Sequence, residues 1–276
     1  MALDEEALAA FKATGMLSLG VILSDAEIEH YSRLFDRDRR DMARHWYPLG
    51  KHQTINCDML VTAPGFDSMI RHPRALPAVA ELMGGDICFS EISIRHMAAH
   101  GGDPTRNWHR DRPHWPEHPF RMDYIQLIVY LTDVDEGTHC FSISPESVDD
   151  DILDAEAQVD RNGIFDFHGP AGSAALFNVA VLHTATVRST MAERKSVQIY
   201  YGHRGRPFLS EDSVMPPAFC RDHEDAGVRA FYGVLNGKTQ EFLDRTSGRD
   251  DIPQNEISDI LIDLDVQRGK REPPAG

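Results

Sequence analysis

The spacing of hydrophobic positions along the chain changes once, near residue 85. Before that point apolar residues recur every three or four positions, which is typical of amphipathic helices. Ser24 and Glu27 have the spacing of a capping box, so a long polar helix is predicted to begin there. The elements predicted in this part are a helix at Glu5–Thr14, a short strand at 16–23, a long helix at 24–45 and a helix at 66–82 that is interrupted near two prolines.

From Ile87 onward, short runs of β-branched and aromatic residues are separated by turn-rich pieces. Strands are predicted at Ile87–Met97, 124–132, 140–144, Ser173–Asn178 and 196–203. Several short strands at such spacing favour a sandwich or barrel over repeated βαβ units. Helical spacing returns after Pro216, and residues 268–276 are predicted to form a frayed tail.

Together these patterns predict one domain spanning residues 1–276, mainly β with flanking helices. Its parts are a helical N-terminal region at about 1–85, a jelly-roll core at about 86–205 and a helical C-terminal extension at about 216–267. An acidic insertion at 149–160 interrupts the core. A solvated surface loop is favoured for this insertion over a lid above the pocket.

Composition limits the partners of the chain. It has 276 residues and a formal net charge of −16, which argues against nucleic acid or an anionic membrane surface as a partner. The first ten residues lack the basic and apolar regions of a signal peptide, and no apolar run reaches the length of a membrane span. The four cysteines are widely scattered, as in proteins with reduced thiols. A cytoplasmic location is therefore predicted, and the oligomeric state is left open.

A set of three residues indicates metal chemistry. The triplet His-x-Asp occurs twice, at His109 and Asp111 and again at His223 and Asp225. Only the first is followed by a predicted strand and then, 72 residues after Asp111, by a further histidine, His183. Two histidines and one carboxylate form a facial triad, which binds non-haem Fe(II) and leaves three positions open. The predicted metal ligands are therefore the first pair together with His183.

Arg194 follows His183 by eleven residues and opens a predicted strand. A planar guanidinium can grip the distal carboxylate of a dicarboxylic co-substrate through two parallel hydrogen bonds. Along this strand Arg194, Ser196, Gln198 and Tyr200 form a polar face, which can line the cavity of a jelly roll. The grouping predicts a 2-oxoglutarate-dependent oxygenase that uses Fe(II) and O2.

Several segments match the pattern of a known family. They are residues 11–16 with 23–27, residues 66–85, Trp108-His-Arg-Asp111, residues 131–137, residues 143–147, and His183 with Arg194. In these segments the chain resembles the phytanoyl-CoA dioxygenase family of Fe(II)/2-oxoglutarate-dependent oxygenases, over about residues 11–203. The resemblance implies a double-stranded β-helix fold, with His183 as the distal iron ligand and Arg194 as the 2-oxoglutarate arginine.

Three departures from the family pattern affect the site. The family often has Gly-Ser after the distal histidine, with the serine contacting the co-substrate. Here the residues are Thr184 and Ala185, so Thr184 or Thr186 takes this role or neither does. The turn at 145–148 lacks the usual glycine and histidine. Asp111 is retained, whereas related halogenases carry Gly or Ala there, so halogenation is not expected.

Five further residues are candidates for the pocket. Gln126 and Arg95, on the predicted strands that flank the metal motif, are expected to contact 2-oxoglutarate. Arg112, His114 and Trp115, just past the motif, are expected at the pocket mouth. The positive charges of Arg95, Arg112 and His114 favour an anionic substrate.

The predicted reaction is hydroxylation of a small molecule, such as one of specialised metabolism, with decarboxylation of 2-oxoglutarate to succinate and CO2. The same His/Asp/His set also suits a zinc-dependent hydrolase, in which water takes the fourth position. A third interpretation is a jelly-roll binding protein that keeps the metal without turnover. Hydroxylation, desaturation, epoxidation and ring formation stay open, because they diverge after the same oxidising step.

Overall fold

The computed structural model describes residues 3–249 and 251–272. Its strands are β1 (Met16–Val21), β2 (Tyr47–Leu49), β3 (Gln53–Asn56), β4 (Ile87–Met97), β5 (Tyr124–Tyr130), β6 (Cys140–Ile143), β7 (Phe165–Phe167), β8 (Ser173–Asn178), β9 (His183–Thr186) and β10 (Arg194–His203). Its α-helices are α1 (Glu5–Thr14), α2 (Asp25–Asp41), α3 (Met59–Thr62), α4 (Asp67–Ile70), α5 (Leu76–Leu82), α6 (Ala155–Asn162), α7 (Pro217–Cys220), α8 (Ala226–Tyr232), α9 (Gly237–Thr246) and α10 (Gln254–Gln267). Short 3-10 turns occur at Ala43–His45 and Pro64–Phe66.

The strands form two antiparallel sheets. A major sheet has the order β1-β8-β5-β10-β4-β3-β2, and a minor sheet has the order β7-β6-β9. β10, the last strand of the core, pairs with both β4 and β5 in the middle of the major sheet. The architecture confirms the predicted jelly-roll core with flanking helices.

The major sheet has an outer face covered by helices and an inner face that meets the minor sheet. On the outer face Val197 and Ile199 pack in one apolar cluster with helical residues such as Phe35. On the inner face Phe177 of β8 packs against Phe141 of β6. Because side chains alternate along a strand, the polar residues of β10 lie on the inner face, between the two sheets. These residues are Arg194, Ser196, Gln198 and Tyr200.

A buried ion cluster attaches the C-terminal extension to the core. The Lys238 ammonium lies 2.9 Å from Asp58 and 2.6 Å from Asp265, and the Arg271 guanidinium lies 2.7 Å from Asp265. Buried charges are costly unless they are paired in this direct way. Residues 268–272, predicted to fray, are therefore held against the body of the protein, and 273–276 lie outside the described residues.

Four short strands of the described structure, β2, β3, β7 and β9, escaped the sequence-based prediction. β2 and β3 form one edge of the major sheet, and β7 and β9 belong to the minor sheet. β9 is four residues long and includes two threonines, so it has little hydrophobic alternation to reveal it. The predicted helix at 66–82 is divided into α4 and α5, as the prolines in it suggested.

The acidic insertion at 149–160 is more ordered than a solvated loop. It contains most of α6, whose N-cap Asp154 accepts a hydrogen bond from the Ala157 amide at 3.0 Å. Gln158 is buried and donates to the carbonyl of Pro145 at 2.8 Å. The insertion is thus fixed to the turn that follows β6.

None of the helices in the described part of the chain is both long and apolar enough to cross a membrane.

Candidate active site

His109, Asp111 and His183 converge between the two sheets. Backbone hydrogen bonds of 3.0 Å run in both directions between His109 and His183, so the motif segment lies beside the start of β9. The His109 Nε2 lies 3.4 Å from Asp111 Oδ1, and the His183 Nε2 lies 3.6 Å from Asp111 Oδ2. All three ligand atoms fall within 4.8 Å of one another. Such a donor set fits one divalent metal ion with a facial set of protein ligands.

The second nitrogen of each histidine fixes the tautomer that a metal requires. His109 Nδ1 donates to the carbonyl of Asn107 at 2.9 Å, and His183 Nδ1 donates to the carbonyl of Val181 at 2.8 Å. Both Nε2 atoms are then left as acceptors toward the centre of the site. The His183 ring is packed against Phe177, whereas the side chain of His109 is 49% exposed. The site is therefore open on the His109 side.

Asp111 is held as a carboxylate. Burial raises its pKa, but the hydrogen bonds and positive charge that His109 and His183 provide when they are protonated outweigh burial and hold the pKa well below its usual range. A bound cation would supply the positive charge when the two histidines are neutral ligands. The Tyr200 hydroxyl donates to Asp111 Oδ2 at 3.1 Å. The ionised form is the one that binds a metal.

Glu146 ties together the segments that carry the ligands. This buried carboxylate accepts hydrogen bonds from the guanidinium of Arg110, from His114 Nε2 at 3.1 Å and from the amide of Leu182 at 3.3 Å. Arg110 lies between His109 and Asp111 in the chain, and Leu182 precedes His183. Glu146 therefore holds the motif segment against the start of β9.

Arg194 is the most unusual buried residue of the site. It is 1% exposed, and its Nε and Nη1 atoms have no hydrogen-bond partner within the described residues. Nor does any carboxylate of residues 3–249 or 251–272 come within 4.0 Å of it. Burial lowers the pKa of this guanidinium. Because an unpaired buried charge is costly, the arrangement indicates a missing anionic ligand.

The predicted co-substrate residues occupy different surroundings. Arg95 and Gln126 share the inner face with Arg194, and Arg95 lies opposite Ser196 in the β4–β10 pair. The Gln126 Nε2 and Ser196 Oγ atoms are buried without partners in the described structure. The Thr184 hydroxyl is instead used locally, since it accepts from the Asn107 amide at 2.9 Å and donates to the Ala185 carbonyl at 3.2 Å.

The three residues predicted at the pocket mouth have partners inside the protein. Arg112 lies 2.6 Å from Asp123, and His114 lies 3.1 Å from Glu146. The guanidinium carbon of Arg206 lies over the Trp115 ring, 4.7 Å from the centre of that ring. The positive charge of Arg112 is thus balanced by a buried carboxylate, and the His114 ring is hydrogen-bonded to another.

Sequence analysis missed the roles of Tyr200 and Glu146. Tyr200 was visible on the polar face of β10, but a hydrogen bond to Asp111 depends on how the motif segment crosses that face. Glu146 carries no local signal, because its donors come from segments more than 30 residues away on either side.

We predict that Tyr200→Phe weakens metal binding while leaving the fold intact. The variant removes the hydrogen bond that orients Asp111, and loss of such an outer contact costs about 10- to 100-fold in metal affinity. Equilibrium titration with Fe(II) under anaerobic conditions measures the change. Tyr201→Phe is the matched control, since its hydroxyl donates to the Ile70 carbonyl at 2.7 Å on the outer face. Equal metal affinity in the two variants would contradict the role of Tyr200.

Comparison with known proteins identifies the family and the fold of this chain. The family model described as phytanoyl-CoA dioxygenase (PhyH) matches residues 11–196, and no curated protein sequence matches significantly. Similar solved structures include the non-heme alpha ketoglutarate dependent carbocyclase SnoK from nogalamycin biosynthesis, with 16% identity, a TM-score of 0.61 and coverage of 73% of this chain and 85% of that one. HygX from Streptomyces hygroscopicus, with nickel and 2-oxoglutarate bound, has 19% identity, a TM-score of 0.57 and coverage of 82% and 95%. EctD from S. alaskensis has 16% identity, a TM-score of 0.62 and coverage of 79% and 83%. The chain belongs to the phytanoyl-CoA dioxygenase family and is a non-haem iron, 2-oxoglutarate-dependent oxygenase.

Proposed function

We propose that His109, Asp111 and His183 hold Fe(II), that Arg194 binds the distal carboxylate of 2-oxoglutarate, and that the enzyme hydroxylates a small molecule. The observation that carries this proposal is the buried guanidinium of Arg194. It lacks an ion-pair partner among the residues that the structure describes, and it lies on the inner face of the major sheet, as the three-ligand site does. In the overall reaction one atom of O2 enters succinate, formed with CO2 from 2-oxoglutarate, and the other enters the product hydroxyl.

Bound iron supplies the oxidising chemistry, and this chain supplies binding, orientation and exclusion of water. The histidine Nε2 atoms and the Asp111 carboxylate would hold the metal, and the Tyr200 hydroxyl keeps that carboxylate in place. Arg194 fixes the far end of the co-substrate, with the unpartnered Ser196 hydroxyl on the same face. We assign Arg95 and Gln126 to the same co-substrate. The hydrogen bonds of Thr184 give it a different role, which is to join the motif segment to β9.

The substrate is proposed to be a small molecule. The structures of two fold relatives contain one: HygX has hygromycin B bound, and the epimerase SnoN has nogalamycin RO bound. An anionic substrate was expected from three cations. Of these, Arg112 and His114 are paired internally, and Arg95 is assigned here to the co-substrate. The charge argument for an anionic substrate therefore loses its support.

The zinc hydrolase and the binding protein are weaker alternatives. A zinc hydrolase needs no co-substrate, so it does not account for a buried arginine placed to bind a carboxylate. A binding protein accounts neither for Arg194 nor for a metal site with free coordination positions. The family to which the chain belongs favours the oxygenase over both.

Anaerobic addition of 2-oxoglutarate to the Fe(II)-loaded protein tests the proposal. A weak metal-to-ligand charge-transfer band is expected, followed by succinate release when O2 is admitted with a panel of metabolites. Neither the hydrolase nor the binding protein would give the band. A protein that binds Fe(II) but shows no band and releases no succinate would refute the proposed function.

A further inference from the structure

The inner face of the major sheet continues past the metal ligands to β4, where a buried carboxylate lies. Glu91 of β4 is directly opposite Tyr200 of β10, whose hydroxyl reaches Asp111. Opposed side chains in an antiparallel pair lie on the same face. Glu91 therefore shares its face with the metal centre, although it is only 5% exposed.

Glu91 has no ion-pair partner within residues 3–249 and 251–272. It accepts a hydrogen bond from the Ser210 hydroxyl, but no lysine or arginine nitrogen comes within 4.0 Å of its carboxylate oxygens. Arg95 acts on it only at longer range, and the Arg95 Nε donates to Ser93 at 3.0 Å. The Glu91 carboxylate is thus a buried acidic group without a direct cation.

A second carboxylate increases the negative charge at this place. Atoms of Glu91, Asp212 and Cys57 lie within 4.8 Å of one another. Burial, and then the charge of Asp212, raise the pKa of Glu91 to about 7. The nearby Lys270 ammonium makes its direct contact with Asp212, at 2.8 Å, and acts on Glu91 only at longer range.

A second feature of the same row of residues points to a bound ligand. Gln126 lies on the other side of Tyr200 from Glu91 and is 1% exposed. Its Nε2 has no hydrogen-bond partner in the described structure, whereas buried polar groups are nearly always hydrogen-bonded. Arg194 precedes Tyr200 by six residues on β10, and Arg95 lies opposite Ser196, so the co-substrate is assigned to the Arg194 end of this face, extending toward Gln126. The Glu91 side, bordered by the apolar cluster of Tyr47, Ile55 and Cys57, is then left for the substrate.

We infer that Glu91 binds a positively charged nitrogen of the substrate, so that the substrate class is small molecules carrying a protonated amine. The inference rests on the proposed function, because it takes the metal and co-substrate to lie beside Glu91. A protonated amine supplies both the missing charge and hydrogen-bond donors. An alcohol would leave the buried carboxylate without a counter-charge, and a carboxylate would repel it. The apolar cluster next to Glu91 suits the carbon skeleton that bears the amine.

Three probes with one carbon skeleton test the charge preference: cyclohexylamine, cyclohexanol and cyclohexanecarboxylate. Their binding is measured on the anaerobic protein loaded with Fe(II) and 2-oxoglutarate, from the change in the charge-transfer band and from the melting temperature. We expect the amine to bind at least about tenfold more tightly than the alcohol, since a hydrogen bond to a charged group is worth that much. The carboxylate should bind most weakly.

Glu91→Gln should reduce the affinity for cyclohexylamine to that for cyclohexanol, with Fe(II) and 2-oxoglutarate binding retained. Glu91→Asp keeps the charge and should keep part of the preference. Glu224→Gln, an exposed site with no part in the pocket, is the control and should behave like the unmodified protein. A preference that survives Glu91→Gln would overturn the inference, as would no amine binding or no preference in the unmodified protein. Failure of the proposed function would be seen separately, because the charge-transfer band would then be absent before any probe is added. In that case the melting temperature would still report whether the amine binds.

Discussion

Replacing His183 by alanine is expected to abolish Fe(II) binding and turnover while the protein stays folded. His183 supplies one of three protein ligands, and its Nδ1 is already committed to the Val181 carbonyl. The remaining pair, His109 and Asp111, lies two residues apart on one segment and cannot form a facial set alone. We expect at least about a hundredfold loss of metal affinity. This is more than the loss expected when a hydrogen bond to a metal ligand, such as that from Tyr200 to Asp111, is removed.

The second His-x-Asp triplet provides the matched control. His223 Nδ1 accepts a hydrogen bond from the Asp225 amide at 3.0 Å, and Asp225 caps α8. His223→Ala should therefore leave Fe(II) binding unchanged. Equilibrium dialysis of both variants under anaerobic conditions, with circular dichroism to check the fold, measures the difference. One tightly bound Fe(II) per chain in His183→Ala would show that the ligand set is wrong.

Alanine at position 183 also removes a ring that packs against Phe177 and Phe141. A loss of about 1–3 kcal/mol in the free energy of unfolding is expected from this cavity. The loss of metal is separable from this effect, because iron binding can be measured well below the melting temperature. His183→Gln keeps more of the volume and should lose iron equally.

Residues whose role depends on sequence spacing could be predicted. The two-residue spacing of His109 and Asp111 and the later position of His183 led to three side chains whose ligand atoms lie within 4.8 Å of one another. Arg194, predicted on the polar face of the last core strand, lies at the start of β10. Runs of β-branched and aromatic residues also identified the long central strands β4, β5 and β10. In these cases the local pattern and the tertiary structure impose the same constraint.

Predictions that required knowledge of a partner in space were less successful. Arg112 and His114 looked like pocket cations, but each is bound to a carboxylate that the linear sequence does not associate with it. Thr184 follows the distal histidine, yet alternation turns its hydroxyl away from the site and toward Asn107. The acidic run at 149–160 suggested a solvated loop, because the burial of Gln158 under the β6 turn leaves no periodic pattern.

Replacing Arg194 by alanine is expected to raise the 2-oxoglutarate requirement at least about a hundredfold, with Fe(II) binding intact. Removing one partner of a buried ion pair costs about 3–5 kcal/mol, or roughly two to four powers of ten in affinity. Arg194→Lys keeps the charge without the planar fork, so it should fall between alanine and the native residue. Titration of 2-oxoglutarate into the anaerobic Fe(II) protein, followed by the charge-transfer band, gives the affinities.

Arg194→Ala also tests a second, independent prediction, which concerns the stabilisation of the protein by 2-oxoglutarate. Two nitrogens of the buried Arg194 guanidinium, Nε and Nη1, have no partner in the described part of the chain. Because 2-oxoglutarate would supply the missing negative charge, it should raise the melting temperature of the native protein. Arg194→Ala should lose this rise at co-substrate concentrations that saturate the native protein. Arg188→Ala is the control. Arg188 is bound to Asp166 and donates to the Thr138 carbonyl at 2.8 Å, so it is not free to bind a ligand. If Arg194→Ala keeps its affinity for 2-oxoglutarate while Arg95→Ala or Arg188→Ala loses it, the anchor of the distal carboxylate lies at that other arginine.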